Sequence, residues 1–144
     1  MSYTIYNTTT GQIVSSAQVQ ETEPPFVSDE QSSIPIFYQG QYFYIDTATQ
    51  QAVRIPRPPA DGSVYVFDYA TKTYQIDLDA TAIQARKSRN LGLGLVDQVN
   101  PLWFASLTTE QQQQLQDYRL ALLAVPQQQG FPATIAWPTR PSWL

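Results

Sequence analysis

The pattern of apolar and polar positions changes character once along the chain. Up to about residue 77, short runs of Tyr, Ile, Val and Phe are separated by clusters of Asn, Asp, Thr and Gly; beyond it, apolar residues recur at helical steps. In the first half one motif comes three times. Ile5-Tyr6 leads to Asn7-Thr8-Thr9-Thr10-Gly11 and a return at Ile13-Val14. Tyr44-Ile45 leads to Asp46-Thr47-Ala48-Thr49-Gln50 and Ala52-Val53, and Val66-Phe67 to Asp68-Tyr69-Ala70-Thr71-Lys72 and Tyr74-Gln75-Ile76. Asn or Asp opening a turn accepts hydrogen bonds from backbone amides two residues on, and Thr and Gly suit the exit. Each motif therefore predicts a β-hairpin with a loop of four or five residues. The motifs start 39 and then 22 residues apart, so they are repeated turn chemistry and not a solenoid. Another hairpin is predicted over 38–42, where aromatic residues flank Gly40. Pro24-Pro25 and the stretch 54–62 read as extended connectors because proline cannot donate to a ladder. The second connector is the expected sub-boundary between small β lobes.

From residue 79 to about 99 the pattern predicts a first helix, with Leu91, Leu93, Leu95 and Val96 as apolar positions and Arg86-Lys87-Ser88-Arg89 as a basic turn. Gly92 and Gly94 each weaken it by roughly 1 kcal/mol relative to alanine. Asn100-Pro101 breaks the chain, and Leu102-Trp103-Phe104 follows as an apolar plug. A second helix is predicted over 107–125. Thr108 serves as its cap, Gln111 stands three residues on, and Glu110 lies near the positive end of the dipole. Leu115, Tyr118, Leu122 and Val125 share one face, and Pro126 stops the helix. Then come Phe131, Ile135, Trp137 and Trp143 among Pro132, Pro138 and Pro141. Such a tail has to lie along a surface, this protein's own or a partner's. The expected fold is α+β: N-terminal antiparallel β-hairpins over 1–77, then two C-terminal helices and an extended Pro/Trp tail over 78–144.

Composition narrows the chemistry. Histidine and cysteine are both absent, which removes thiolate nucleophiles, disulfides, sulfur metal sites and any Ser-His-Asp machine within one chain. A formal charge of −4 and a pI near 4.5 argue against non-specific nucleic-acid binding. The longest apolar run, residues 120–125, is too short to span a bilayer, and the first residues have neither a basic segment nor an apolar core. Charged residues make up only 14%, glutamine supplies much of the polar surface, and 18 aromatic residues provide large anchors. That surface suits life in a complex.

Other signals read as structure. Asp77 and Asp79 precede a helix and are expected to cap it, not to act as a catalytic pair. Asn7-Thr8-Thr9 is a turn before it is a glycosylation site, and Gly92-Leu93-Gly94 lacks the context of a phosphate loop. Glu21, Glu23, Asp29 and Glu30 are expected to be solvated. Arg57-Pro58-Pro59 reads as linker more readily than as a ligand for an aromatic groove. The basic turn is a solvated face or a contact for a carboxylate-rich partner. No catalytic residue, cofactor or metal site is expected.

The order Arg86…Arg89…Asp97…Trp103…Leu107-Thr108…Glu110-Gln111…Tyr118-Arg119…Leu122…Val125-Pro126…Gly130-Phe131-Pro132…Ile135…Trp137-Pro138…Pro141 resembles the C-terminal region of tail fibre assembly proteins of tailed bacteriophages. The block 107–138 is the specific part. One departure is that Gln98-Val99-Asn100-Pro101-Leu102 stands between Asp97 and Trp103, where the family often has Asp-Trp directly. The resemblance implies a non-enzymatic chaperone that binds a trimeric phage tail fibre, usually at its distal C-terminal end, and promotes its folding and trimerisation. It implies action in the host bacterial cytoplasm during virion assembly, with release or retention on the fibre both known in the family. The residues expected at the partner interface are Trp103, Tyr118, Arg119, Phe131 and Trp137, with a place in the core as the other reading of Tyr118 and Trp137. The alternative reading is a permanent virion component or adhesin at the fibre tip that binds host glycan. Nucleic acid and membrane are not expected partners.

Overall fold

The computed structural model describes residues 2–18 and 27–144. Pro24-Pro25, Glu21 and Glu23 lie outside the described residues. The chain divides into two units, one of Met1–Pro59 with Val66–Gln75 and one of Ala60–Tyr65 with Ile76–Leu144.

In the first unit β1 (Ser2–Asn7) lies between β2 (Ile13–Gln18) and β3 (Gln31–Ile34), both antiparallel to it, with a bulge between Ile5 and Tyr6 where β1 meets β2. β4 (Phe43–Ile45) pairs antiparallel with β5 (Ala52–Arg54), and β6 (Tyr65–Asp68) pairs with β7 (Thr73–Ile76). Tyr6, Ile13 and Ile45 form the buried cluster, with Ile34, Tyr38, Phe43 and Ala52 packed on it. A second aromatic group surrounds Phe67, whose ring meets Tyr44, Tyr69 and Tyr74 at centroid distances of 5.9, 5.2 and 5.3 Å.

The three repeated motifs form the three expected loops, and they share one hydrogen-bond plan. Asn7 Oδ1 accepts from the amides of Thr9 (3.0 Å) and Thr10 (2.8 Å), and Asp46 Oδ1 from those of Ala48 and Thr49 (both 2.9 Å). Asp68 Oδ1 accepts from Ala70 (2.8 Å) and Thr71 (3.4 Å). In each loop the fifth residue closes the turn by donating its amide to the carbonyl of the first, at 2.7–2.8 Å, and has positive φ: Gly11 at 70°, Gln50 at 56° and Lys72 at 60°. The side-chain oxygen holds the middle of the turn and the left-handed residue returns the chain to its strand.

Lys72 binds these loops together. Its Nζ donates to the carbonyls of Thr10 and Tyr69 and stands 4.4 Å above the ring centre of Tyr44. Burial draws its ammonium below the ordinary lysine range, with Asp46 and Asp68 pulling the other way. The amide of Ile45 donates to Gly11 O (2.9 Å), and a Cβ on Gly11 would fall 1.9 Å from Ile45 O. Only glycine fits there.

The hairpin expected over 38–42 is not formed. Residues 37–39 have no strand, and the amides of Tyr42 and Phe43 donate to Gln39 O to make a turn that enters β4. The cause is a polar pair on the neighbouring sheet. Fully buried Thr4 accepts the Tyr38 amide on Oγ1 (2.9 Å) and donates to Ile36 O (2.7 Å), while Ser16 Oγ donates to Tyr38 O (2.6 Å). With both backbone groups of Tyr38 taken by side chains, no ladder can use them. Gly40 packs closely instead, since a Cβ there would stand 3.2 Å from Ile13.

The second unit holds α1 (Leu78–Asp97), α2 (Pro101–Ser106) and α3 (Thr109–Ala124). Asp77 caps α1 by accepting the Ala80 amide (2.9 Å), as its position before the helical pattern predicts. α2 is an addition to the expected helices. Asn100 caps it through the amides of Leu102 (2.8 Å) and Trp103 (3.4 Å), and Pro101 occupies its first turn, where a missing N–H costs nothing. The Asn-Pro expected to break the chain thus starts a new helix, after α1 has already ended at Asp97 with Gln98 as its cap. α3 has both halves of the expected capping box, Gln111 N to Thr108 Oγ1 (3.2 Å) and Thr108 N to Gln111 Oε1 (3.0 Å). α1 packs on α3, burying Ala82, Ala85 and Val96 of one and Leu115 and Leu122 of the other, with Val125 fully buried just beyond. A Cβ on Gly92 would lie 3.1 Å from Leu122, so this glycine lets the helices approach closely. After a 3-10 turn at Val125–Gln127 the tail runs through turns, and residues 135–141 carry neither helix nor strand.

Candidate functional site

The tail of the second unit is held by a few polar contacts of its own. The Gln128 side-chain amide takes both backbone groups of Ala136, with Nε2 donating to Ala136 O and Oε1 accepting from Ala136 N, each at 2.8 Å. Inside the loop this closes, Phe131 N donates to Gln128 O (3.0 Å) and Thr134 N to Gly130 O (2.7 Å). A Cβ on Gly130 would meet Thr134 O at 2.7 Å. The Gln-Gln-Gln-Gly-Phe-Pro segment is therefore a closed loop whose first part is fixed by one glutamine. Periodicity shows none of this, because an amide that copies a strand partner leaves no hydrophobic signature.

The five expected interface residues fall at three places. Phe131 lies on the closed loop with the Arg86 guanidinium 5.2 Å from its ring centre, an aromatic-cation contact that gives one member of the basic turn a structural role. Tyr118 and Trp137 come together in one cleft of about 370 Å³. Its floor is Thr81, Gln84, Ala85, Ser88 and Gly92 of α1 with Tyr118 and Leu122 of α3; its other walls are Asp61–Ser63 and the tail residues Pro132, Ile135, Trp137 and Pro138. Trp137 is 47% exposed there, a large apolar surface left open. Trp103 and Arg119 lie elsewhere. Trp103 pairs with Trp143 at a centroid distance of 6.3 Å, and Trp143 Nε1 donates to Gln114 Oε1 (2.5 Å). Arg119 Nε reaches Asp97 Oδ1 at 2.6 Å, a half-exposed pair joining α3 to the last turn of α1. Trp143, named in sequence only as one of the tail aromatics, and Gln128 and Gln114, which no sequence signal singled out, all place the tail.

The cleft combines polar and apolar groups. On its rim the Tyr65 hydroxyl donates to Asp61 Oδ2 (2.6 Å), which holds the Asp61 carboxyl below its ordinary range and pushes the phenol above its own. Ser63 N donates to the same carboxylate (2.9 Å). Thr81 Oγ1 accepts the Val64 amide (2.9 Å) and Gln84 Nε2 donates to Gly62 O (3.5 Å), so these polar groups hold the 61–64 stretch against α1, and proline, isoleucine and tryptophan supply the apolar lining. Among the described residues no group of three or more acidic side chains is placed to hold a metal ion. No helix among the described residues is long and apolar enough to cross a membrane.

One stretch, from Ala82 in α1 to Ser142 in the tail, is similar to a known family. Residues 82–142 match the phage tail assembly chaperone protein family. The resemblance carried by the Tyr-Arg helix, Gly-Phe-Pro and Trp-Pro is thus a family match. No curated protein and no solved structure matches the chain. The matched region contains α2, α3, most of α1, the closed loop and all five expected interface residues. The β unit lies outside it. The family that this region matches is one of phage tail assembly chaperones.

Proposed function

We propose that the protein is a non-enzymatic chaperone that binds a phage tail fibre near its distal C-terminal end and promotes folding and trimerisation, acting in the host cytoplasm during virion assembly. The observation that carries this reading is the coincidence of the family match with the α1–α3–tail cleft, where Tyr118, Ile135 and Trp137 offer an open aromatic and aliphatic wall. Fibre trimers pair strands distant in sequence and expose edges before they close, which makes them slow to form and prone to aggregate. A surface of aromatic, proline and amide groups can cover an extended fibre segment until its own chains replace it. The test is production of the fibre with and without this chain: fibre alone should be insoluble or non-trimeric, and normal trimers from the fibre gene alone would contradict the proposal.

A further inference from the structure

The β unit has a cleft of its own, of about 570 Å³, lined by Gln41, Tyr42, Arg54, Ile55, Pro56, Arg57, Pro58 and Tyr74. By sequence this unit has three cations, Arg54, Arg57 and Lys72, against six carboxylates. Lys72 is spent on the turn loops. The other two both line this cleft, both are exposed, and neither has a carboxylate within ion-pair distance among the described residues. Positive charge in an otherwise acidic unit is thus gathered into one groove.

The walls of the groove are ordered. Ile55 N donates to Tyr42 O (2.8 Å), and the Tyr74 hydroxyl donates to Pro56 O (2.8 Å), so the connector is pinned beside both tyrosines. Tyr42 is half exposed. Pro56 and Pro58 restrict the residues before them to extended backbone. In a proline-biased chain of three residues per turn, positions three apart return to the same side about 9 Å along. Carboxylates two or three residues apart on an extended polypeptide are separated by roughly 7–10 Å. A planar guanidinium fork donates two parallel hydrogen bonds to a carboxylate.

We propose that this cleft binds an extended acidic segment of a partner polypeptide, with Arg54 and Arg57 each taking a carboxylate and Tyr42 and Tyr74 covering the chain between them. The proposal rests on the reading of this protein as one that binds another polypeptide, and places a second contact outside the family-matched region. Fluorescence anisotropy with the full chain and a labelled peptide of alternating aspartate and serine tests it, against the asparagine version of that peptide and an oligomer of galacturonic acid. The acidic peptide should bind, the asparagine version should not, added salt should weaken the complex, and R54Q/R57Q should lower affinity about tenfold or more with an unchanged melting curve. Failure of the acidic peptide to bind, equal binding of the asparagine version, or indifference to R54Q/R57Q would overturn the proposal. Preference for the acidic sugar would overturn it too, in favour of a glycan site. The probe needs no fibre. A chain that binds the peptide yet leaves fibre assembly unchanged contradicts the chaperone reading alone; one that assembles fibre without binding the peptide contradicts this proposal alone.

Discussion

At residue scale the positive-φ positions of the three loops make opposite demands. Gly11 has no room for a methyl, so Gly11→Ala is expected to destabilise the protein by at least about 2 kcal/mol, seen as a lower urea midpoint. Gln50 adopts the same backbone in the open. Gln50→Gly removes the left-handed penalty and should stabilise by up to about 1 kcal/mol. Lys72→Gly relieves the same penalty yet should lower the midpoint, because it deletes the contacts to Thr10, Tyr69 and Tyr44. A raised midpoint for Lys72→Gly would show that the lysine contributes no more than its backbone strain. The turn acceptors were legible because Asn and Asp have a fixed local geometry. The convergence on Lys72 was not, since contacts 62 residues apart in sequence leave no local trace.

At element scale, caps were legible and competition for backbone groups was not. Thr108 and Gln111 announce α3 four residues at a time, and Asp77 announces α1. Thr108→Ala should cost about 1 kcal/mol, with faster amide exchange confined to the first turn of α3. The missing hairpin at 38–42 has a different origin: Thr4 and Ser16 claim Tyr38 from another strand. β3 was hidden for a related reason, since Gln31-Ser32-Ser33-Ile34 has no apolar pattern and is held by pairing with β1. Gln128 is the corresponding device in the tail. Gln128→Ala should lose two hydrogen bonds of about 1 kcal/mol each, so exchange of the Ala136 amide should quicken while that of α1 is unchanged. Equal quickening in α1 would mean that the clamp supports the whole unit and not the loop alone.

At the scale of the whole molecule, acid sensitivity follows from the turns. Backbone amides of Thr49 and Ala48 hold the Asp46 carboxyl below its ordinary range, and Ala70 N and the Thr71 hydroxyl do the same for Asp68. With the folded value depressed, the unfolded chain takes up protons first as pH falls. The stabilisation is therefore present above about pH 4 and is lost between the ordinary carboxylate value and the lower folded one. D46N/D68N keeps acceptors in both turns, as Asn7 does naturally, and should flatten this acid limb; an unchanged limb would place the effect elsewhere. The most direct test of assembly chaperoning is co-expression of this chain with a candidate phage tail fibre, followed by light-scattering mass on a sizing column. The expected result is a complex that elutes with a trimeric fibre and is weakened by Trp137→Ala; a soluble trimeric fibre that leaves this chain in its own peak would contradict the account.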